Sequence, residues 1–364
     1  MNEPGKNLQL ASVEATTGLA GLVAEPEAAK SGGFGGADPV SPAAIWPGLA
    51  LTVAIAATAI LIREASGLQG LSPLIVSLSI GGLIGNVAGR LEWAKAGIQF
   101  SLRRLLRLGI VLLGLQLTLS QVAAIGWGGL LMIVGCLVGS FAATTWLGAK
   151  LGVDRKLTQL IAAGTAVCGA TAILATNTVS RADDSDVAYA VACVTLLGSV
   201  AIFVYPLAGA ALALPSQVYG LWAGASIHEI AQVAGATYQA RDGAGEWAMI
   251  SKLARVAMLA PLVMILAAFA RRSGSDLHAK VPVPWFLVFF VLMMLGSSTG
   301  WVPESVTGMA SQAATALLCA ALAAMGLEIR VGAVLAKGWK PFALATMASL
   351  VISLGSLAWL LALK

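Results

Sequence analysis

The sequence has few charged residues and almost no histidine. Asp, Glu, Lys and Arg make up 11% of its 364 residues, and only two histidines are present. A soluble domain carries roughly 25% charged residues, so the composition excludes a water-soluble domain. It also excludes an intrinsically disordered chain, which needs low hydrophobicity and high net charge. Two histidines are too few for a multi-histidine metal or haem site, and we predict no metal and no cofactor.

The cysteines and the net charge exclude further classes. No two of the four cysteines have CxxC spacing, and all four lie in apolar segments. Neither a disulfide framework nor a zinc ribbon is therefore indicated. The net charge of +5 does not indicate a nucleic-acid partner. The basic residues stand between apolar segments, where they orient membrane proteins.

The sequence is rich in long hydrophobic segments. Hydrophobic residues make up 58% of the chain, 41 residues are glycine, and the mean hydropathy is +0.87. Crossing the ~30 Å hydrocarbon layer takes about 20 helical residues. The chain is therefore predicted to be an all-α polytopic membrane protein whose surroundings are the lipid bilayer. Eleven candidate spans cover 43–62, 71–89, 105–123, 127–149, 157–179, 187–213, 217–239, 247–270, 284–300, 304–326 and 341–362.

The charge pattern predicts the domains and the orientation. Residues 1–42 are polar and acidic and are predicted to form a flexible tail before a transmembrane domain over 43–364. Lys and Arg cluster in every second connection, for example Lys150, Arg155 and Lys156. By the positive-inside rule the N-terminus is then cytoplasmic and the C-terminus external, which requires an odd number of spans.

A faint internal repeat divides the transmembrane domain. Two basic residues three apart open span 3 (Arg104 and Arg107), and the pair Lys252 and Arg255 opens span 8. At a similar offset Thr165 of span 5 corresponds to Thr315 of span 10. The interpretation is an extra helix at 43–62 followed by two five-helix repeats of opposite orientation, 71–213 and 217–362. Inverted repeats are typical of secondary transporters.

Span 5 contains a sequence that weakens a helix. Gly169 and the glycine at 164 flank Cys168, and Thr165 and Thr171 offer hydroxyls nearby. We predict a discontinuous helix whose second half begins near Gly169. A helix N-terminus that faces a cavity binds anions. The alternative is that the small residues only allow close helix packing.

Polar side chains also stand inside spans 3, 7 and 8. His228 and Gln232 of span 7 are four apart and are predicted to share a helix face, with Ser226 and Glu229 on other faces. Membrane-buried polar groups of this kind favour a substrate or proton site, although a structural hydrogen-bond pair remains the alternative. Lys252 and Arg255 either contact an anion or extend to the interface. Gln116 is a weaker candidate.

One missing feature favours an anion over a cation. A cation/proton antiporter is expected to place carboxylates at its broken helix, and span 5 has none there. The predicted site therefore receives a small anion, with a coupling proton as a second partner. Glycines at 81, 85 and 89 are spaced for packing within the chain or in a homodimer.

Three stretches carry a resemblance to a known family. They are Val-Cys-Gly-Ala-Thr-Ala-Ile-Leu-Ala-Thr at 167–176, His-Glu-Ile-Ala-Gln-Val-Ala at 228–234, and Ile-Ser-Lys-Leu-Ala-Arg-Val-Ala-Met-Leu-Ala-Pro at 250–261. Together they resemble the YeiH-type family of bacterial inner-membrane proteins, which is also named for sulfate export. The resemblance covers roughly 43–362.

The resemblance implies a function and a fold. It implies a transporter with two inverted five-helix repeats and crossed broken helices, as in bile-acid-symporter-like folds. It implies export of sulfate or a related sulfur oxyanion from the bacterial cytoplasm, with a substrate region at 165–171 and at His228 and Glu229. Some relatives carry Arg where this chain has Gln116, which puts the substrate or the affinity in doubt.

Two other classes stay open at this stage. An uncoupled anion channel or a membrane-embedded sensor would show the same composition. A membrane-embedded enzyme would use Cys168, or His228 with Glu229, but no third catalytic member is identifiable, and we predict no catalytic residue.

Overall fold

The computed structural model describes residues 42–66, 72–89, 91–238, 240, 243–272, 285–300, 302–329 and 338–362. The tail predicted over 1–42 lies outside these residues, apart from Pro42, which begins the first helix. All described elements are helical. The α-helices are α1 (Pro42–Ser66), α2 (Pro73–Ala88), α3 (Lys95–Phe100), α4 (Leu106–Leu113), α5 (Leu119–Ala124), α6 (Gly126–Leu151), α7 (Arg155–Ala166), α8 (Ala170–Ser180), α9 (Asp184–Ala211), α10 (Ser216–Ser226), α11 (Ile230–Thr237), α12 (Ala244–Ala257), α13 (Leu259–Arg272), α14 (Trp285–Ser298), α15 (Glu304–Glu328) and α16 (Trp339–Ala362).

Several of these helices are long and apolar enough to cross a membrane. Six such segments lie in the described residues: α1, α6, α9, α12 continued by α13, α15 and α16. The apolar helices α2 and α14 are shorter. Each coincides with a predicted span, so the polytopic, all-helical class is confirmed.

The predicted break in span 5 is confirmed, but the chain reverses there. Val167, Cys168 and Gly169 separate α7 from α8, and Gly169 has a φ of +68°, which L side chains rarely adopt. The Nζ atom of Lys156 donates to the carbonyl of Arg181 at 2.9 Å, and Ser180 Oγ donates to Gln159 Oε1 at 2.9 Å. The end of α8 thus returns to the start of α7. We call α7, α8 and their tip 167–169 the first hairpin.

Span 7 is also a hairpin, and here the sequence prediction of one continuous helix is wrong. Helix α10 ends at Ser226 and α11 begins at Ile230. The hydroxyl of Tyr219, early in α10, donates to the carbonyl of Ala236, near the end of α11, at 2.6 Å. Seventeen residues of straight helix would span about 25 Å, so this bond requires a reversal. We call α10, α11 and their tip 227–229 the second hairpin.

The two hairpins approach the middle of the bundle from opposite ends. Along α9, Val194 contacts Gly164 of the first hairpin, Thr195 meets Glu229 at the second tip, and Gly209 lies against Tyr219 near the open end of the second hairpin. Helix α12 follows α10 towards the tips, and α13 continues along α8. The tips therefore meet near the middle of α9, and we call residues 167–169 and 227–229 together the tip junction.

Spans 5 and 7 are each a pair of short antiparallel helices rather than one long helix. The predicted count of about eleven transmembrane helices is therefore not confirmed. The proposed repeat also finds no counterpart for the break at Thr165 in span 10, because α15 is continuous past Thr315. Lys252 does not open a span but lies within α12, fully buried.

Helix contacts group the chain into two bundles. Helices α1–α5, α14 and α15 pack mainly on one another, as do α6–α13 and α16. In the first bundle, a Cβ on Gly85 would overlap the backbone of Leu327 in α15, and Gly81 lies equally close to Ala323. The close approach of α2 and α15 explains Gly81 and Gly85 as packing within the chain, whereas Gly89 has no atom within 4 Å of its Cβ position.

Candidate functional site

The tip junction brings the N-caps of the two returning helices into contact. Gly169 is the N-cap residue of α8, and Glu229 is the N-cap residue of α11. A Cβ placed on Gly169 would lie 2.6 Å from Glu229 Cγ. Glycine is required here by both the positive φ and the close approach of the glutamate side chain.

Lys252 joins the two hairpins from α12. Its Nζ donates to the carbonyl of Val167 at 2.9 Å and to that of Ile227 at 2.7 Å. Both carbonyls are left without helix partners by the breaks. The side chain is fully buried, so the alternative that it extends to the interface is excluded.

Arg255, one turn further along α12, binds the ends of the same two helices. Its Nε donates to the carbonyl of Ala166 at 3.0 Å, and Nη2 donates to that of Thr165 at 2.6 Å. Nη1 reaches the carbonyls of Gly224 at 3.3 Å and Ile227 at 3.4 Å. The guanidinium thus completes the last turns of α7 and α10, where a positive charge is favourable.

Among the described residues, no carboxylate lies within 4.0 Å of either buried cation. Within the described part of the chain, the ion pair closer than 4.0 Å is Lys95 with Glu92, on the surface. A buried charge without a partner is costly, and more so in a membrane. When Lys252 and Arg255 are protonated, the tip junction carries positive charge, which among the described residues is offset by carbonyl dipoles and a more distant carboxylate.

That carboxylate belongs to Glu229. It accepts from Thr195 Oγ1 at 3.4 Å and lies beside the start of α8, close to the backbone N–H of Ala170. It also forms a capping box with Gln232, whose Oε1 accepts from the Glu229 N–H at 3.1 Å. The sequence predicted an anion at the N-terminus of α8, and the structure places a glutamate there.

Gln232 connects the second hairpin to the rest of the molecule. Its Nε2 donates to the carbonyl of Thr195 at 3.1 Å and lies 3.4 Å from Ser199 Oγ and 3.5 Å from Met325 Sδ. Ser199 also lines an apolar groove of about 290 Å³ between α2 and α9. The amide of Gln232 thus lies behind a groove at the boundary of the two bundles.

His228 points away from Gln232, so the predicted shared helix face is wrong. The residue lies in the tip rather than in a helix, and a spacing of four has no helical meaning there. Its Nε2 pairs with Ser349 Oγ of α16 at 3.0 Å, and its buried Nδ1 has no hydrogen-bond partner in the described part of the chain. Such an atom is free to meet a ligand or a proton.

The other predicted residues divide into near and distant ones. Thr165 is buried with an unpartnered hydroxyl, Cys168 is buried at the first tip, and Thr171 is exposed on α8. Ser226 is the last residue of α10 before the second tip, and its Oγ lies 2.8 Å from the hydroxyl of Tyr205 in α9. Gln116 sits in a short turn that packs on α14 and α15 of the other bundle.

Two residues that contact the site could not be identified from the sequence. Thr195 and Ser349 lie in α9 and α16, where they resemble ordinary small polar residues of apolar helices. The second break had a local signal, since Glu229 and Gln232 are spaced as a capping box, which marks a helix start.

Six long apolar helices and two opposed hairpins with a charged junction define a polytopic membrane protein. The family model described as "Conserved hypothetical protein 698" matches residues 47–345. The chain belongs to this family, UPF0324, which includes the YeiH inner-membrane proteins.

Similar proteins come from several bacteria. The UPF0324 inner membrane protein YeiH of Salmonella typhi is 38% identical over 325 residues, which cover 85% of this chain and 93% of that protein. YeiH of Escherichia coli K12 is 37% identical over 86% of this chain and 94% of its own length. A UPF0324 membrane protein of Pseudomonas aeruginosa is 36% identical, covering 83% and 89%. No solved structure matches the chain significantly.

Proposed function

We propose that the protein is a secondary transporter of a small anion that exports sulfate or a related sulfur oxyanion across the bacterial inner membrane. The observation that carries this proposal is the pair of fully buried cations, Lys252 and Arg255, with no carboxylate within 4.0 Å among the described residues. An anion that enters the tip junction would offset this charge.

The balance of charges at the junction supports the proposal. Each helix end carries about half an elementary charge, positive at the N-terminus and negative at the C-terminus. The partial positive charges at the N-terminal ends of α8 and α11 add up to about one elementary charge, which roughly balances the negative charge of the ionised Glu229. The C-terminal ends of α7 and α10 offset only about half of the charge of Lys252 and Arg255. About one positive charge is left over.

The proposed roles follow the positions of the side chains. Lys252 and Arg255 hold the hairpin tips and provide the positive field, while Thr165 and Thr171 offer hydroxyls to the anion. His228, through its unpartnered Nδ1, is the titratable partner. Glu229 carries the coupled proton.

The finer architecture is also part of the proposal. The N-terminus is cytoplasmic, and one bundle moves against the other to alternate access. Two inverted five-helix repeats, over 71–213 and 217–362, and a homodimer remain predictions.

Sulfate counterflow in proteoliposomes tests the function. Purified protein in vesicles preloaded with sulfate should accumulate radiolabelled sulfate, and sulfite or thiosulfate should compete. Saturable counterflow establishes a carrier. An ohmic current without counterflow would indicate a channel, and folded protein that does neither with any of these anions would contradict the proposal.

The substitution His228→Ala should abolish counterflow, because it removes the unpartnered ring nitrogen at the tip. The matched control is Ser349→Ala, which removes the hydroxyl that pairs with Nε2 but keeps the imidazole. We expect the control to retain most of the flux. Equal flux in wild type and His228→Ala, at equal amounts of folded protein, would remove His228 from the mechanism.

A further inference from the structure

Glu229 fills the place that the helix ends offer to a ligand. Its carboxylate lies against Gly169 and close to the backbone N–H of Ala170 at the start of α8, and Glu229 takes part in the capping box of its own helix α11. The N-terminal ends of two helices, which attract anions, are thus occupied by a side chain of the protein. A transported anion and this carboxylate cannot hold the same N–H groups at once.

The edge of the junction at Glu229 is also its exposed edge. Lys252 and Arg255 are 0% exposed and His228 is 3% exposed. By contrast, Glu229 and Ala170 are partly exposed, and Thr171 is exposed. An anion that approaches the buried cations from this edge meets Glu229 first.

We propose that Glu229 is a tethered competitor of the transported anion. This inference rests on the proposed function and deepens it. The anion binds to the N–H groups of α8 and α11 after the carboxylate has left them. The displaced carboxylate takes up one proton from water and becomes a neutral carboxylic acid, so one proton binds for each anion.

The charge balance then selects the class of anion. With Glu229 ionised, the junction has an excess of about one positive charge, and with Glu229 protonated the excess is about two. A divalent oxyanion, such as sulfate, matches the second value. Proton and dianion are therefore expected to bind together.

A comparison of the groups that face Glu229 indicates that Glu229 itself takes up the proton. From α12 the charged neighbour is Lys252, which donates to two carbonyls. From the first tip the neighbour that can titrate is Cys168, a buried and neutral thiol. Thr195 of α9 and Ala170 of α8 do not titrate, and α15 presents Met325 to the neighbouring Gln232. His228 turns towards α16. Glu229 is the acidic group whose contacts an incoming anion would replace.

Sulfate binding to the purified protein tests the inference. For wild type, the dissociation constant measured between pH 6 and 8 should rise about tenfold per pH unit while Glu229 is ionised, as expected for one linked proton. Glu229→Gln should bind sulfate at least as tightly as wild type at pH 6, with no pH dependence. Glu304→Gln, at an exposed position that starts α15, should behave as wild type.

A second measurement does not depend on the folding of a variant. When sulfate is added to weakly buffered wild-type protein, the protein should take up about one proton for each anion that it binds. A pH indicator in the solution reports this uptake. Sulfate binding without proton uptake, or loss of binding in folded Glu229→Gln, would overturn the competitor role while leaving anion transport intact. Failure of wild type and Glu229→Gln to bind sulfate at any of these pH values would contradict both the inference and sulfate as the cargo.

Discussion

At the residue scale, Lys252 and Arg255 explain why two helices stop without proline. Their donors bind the carbonyls of residues 165–167, 224 and 227, which the helices themselves leave unpaired. The sequence alone indicated that both cations were unusual for an apolar span. It could not show which backbone atoms they bind, because those atoms lie up to 90 residues away in the chain.

Lys252→Met should destabilise the protein. The substitution keeps most of the side-chain volume but leaves the carbonyls of Val167 and Ile227 unsatisfied, at a cost of about 1–3 kcal/mol for each buried group. We expect the thermal unfolding midpoint in detergent to fall by roughly 4–10 °C. The exposed Lys340→Met serves as the control and should leave the midpoint unchanged. Equal midpoints for wild type and Lys252→Met would contradict the bridging role of Lys252.

At the scale of elements, the sequence predicted one break and missed the other for a physical reason. The break at Gly169 can be predicted from the sequence, because glycine is the residue that tolerates a φ of +68°. Ile227 breaks its helix in an extended conformation, with φ −63° and ψ 145°, that any residue adopts. Hydropathy cannot distinguish a hairpin of two short helices from one spanning helix, because both need about the same number of apolar residues.

The hairpins can be tested by cysteine accessibility in intact cells and in inverted membrane vesicles. Arg155→Cys and Asp184→Cys flank the first hairpin at exposed positions and should react with a membrane-impermeant maleimide from the same side. Gln217→Cys and Ala240→Cys flank the second hairpin and should both react from the opposite side. The four natural cysteines are buried and provide a low background.

A pattern in which Arg155→Cys and Asp184→Cys react from opposite sides would mean that span 5 crosses the membrane. We expect neither hairpin to cross. In that case nine of the eleven predicted spans would remain, an odd number that agrees with the predicted placement of the termini on opposite sides.

At the scale of the whole molecule, the boundary between the bundles is the place where movement is expected. The contacts between α2 and α9 are few compared with those inside each bundle, and a groove of about 290 Å³ separates Ser79 of α2 from Val200 of α9. The hairpins, with α9, α12 and α16, form one bundle around the tip junction. A carrier that alternates access would move this bundle against the one that contains α2 and α15.

Cross-linking across the groove should therefore stop transport without preventing binding. The double variant with Ser79→Cys and Val200→Cys has both substituted positions exposed on the groove. A short bifunctional maleimide can therefore join α2 to α9. We expect sulfate counterflow to fall at least tenfold after cross-linking, while sulfate affinity in detergent stays within about threefold, because the tip junction lies inside one bundle. Each single cysteine variant, treated with the same reagent, should keep its flux. Full counterflow in a quantitatively cross-linked sample would mean that the bundles do not move against each other, and the hairpin tips themselves would then have to open the path.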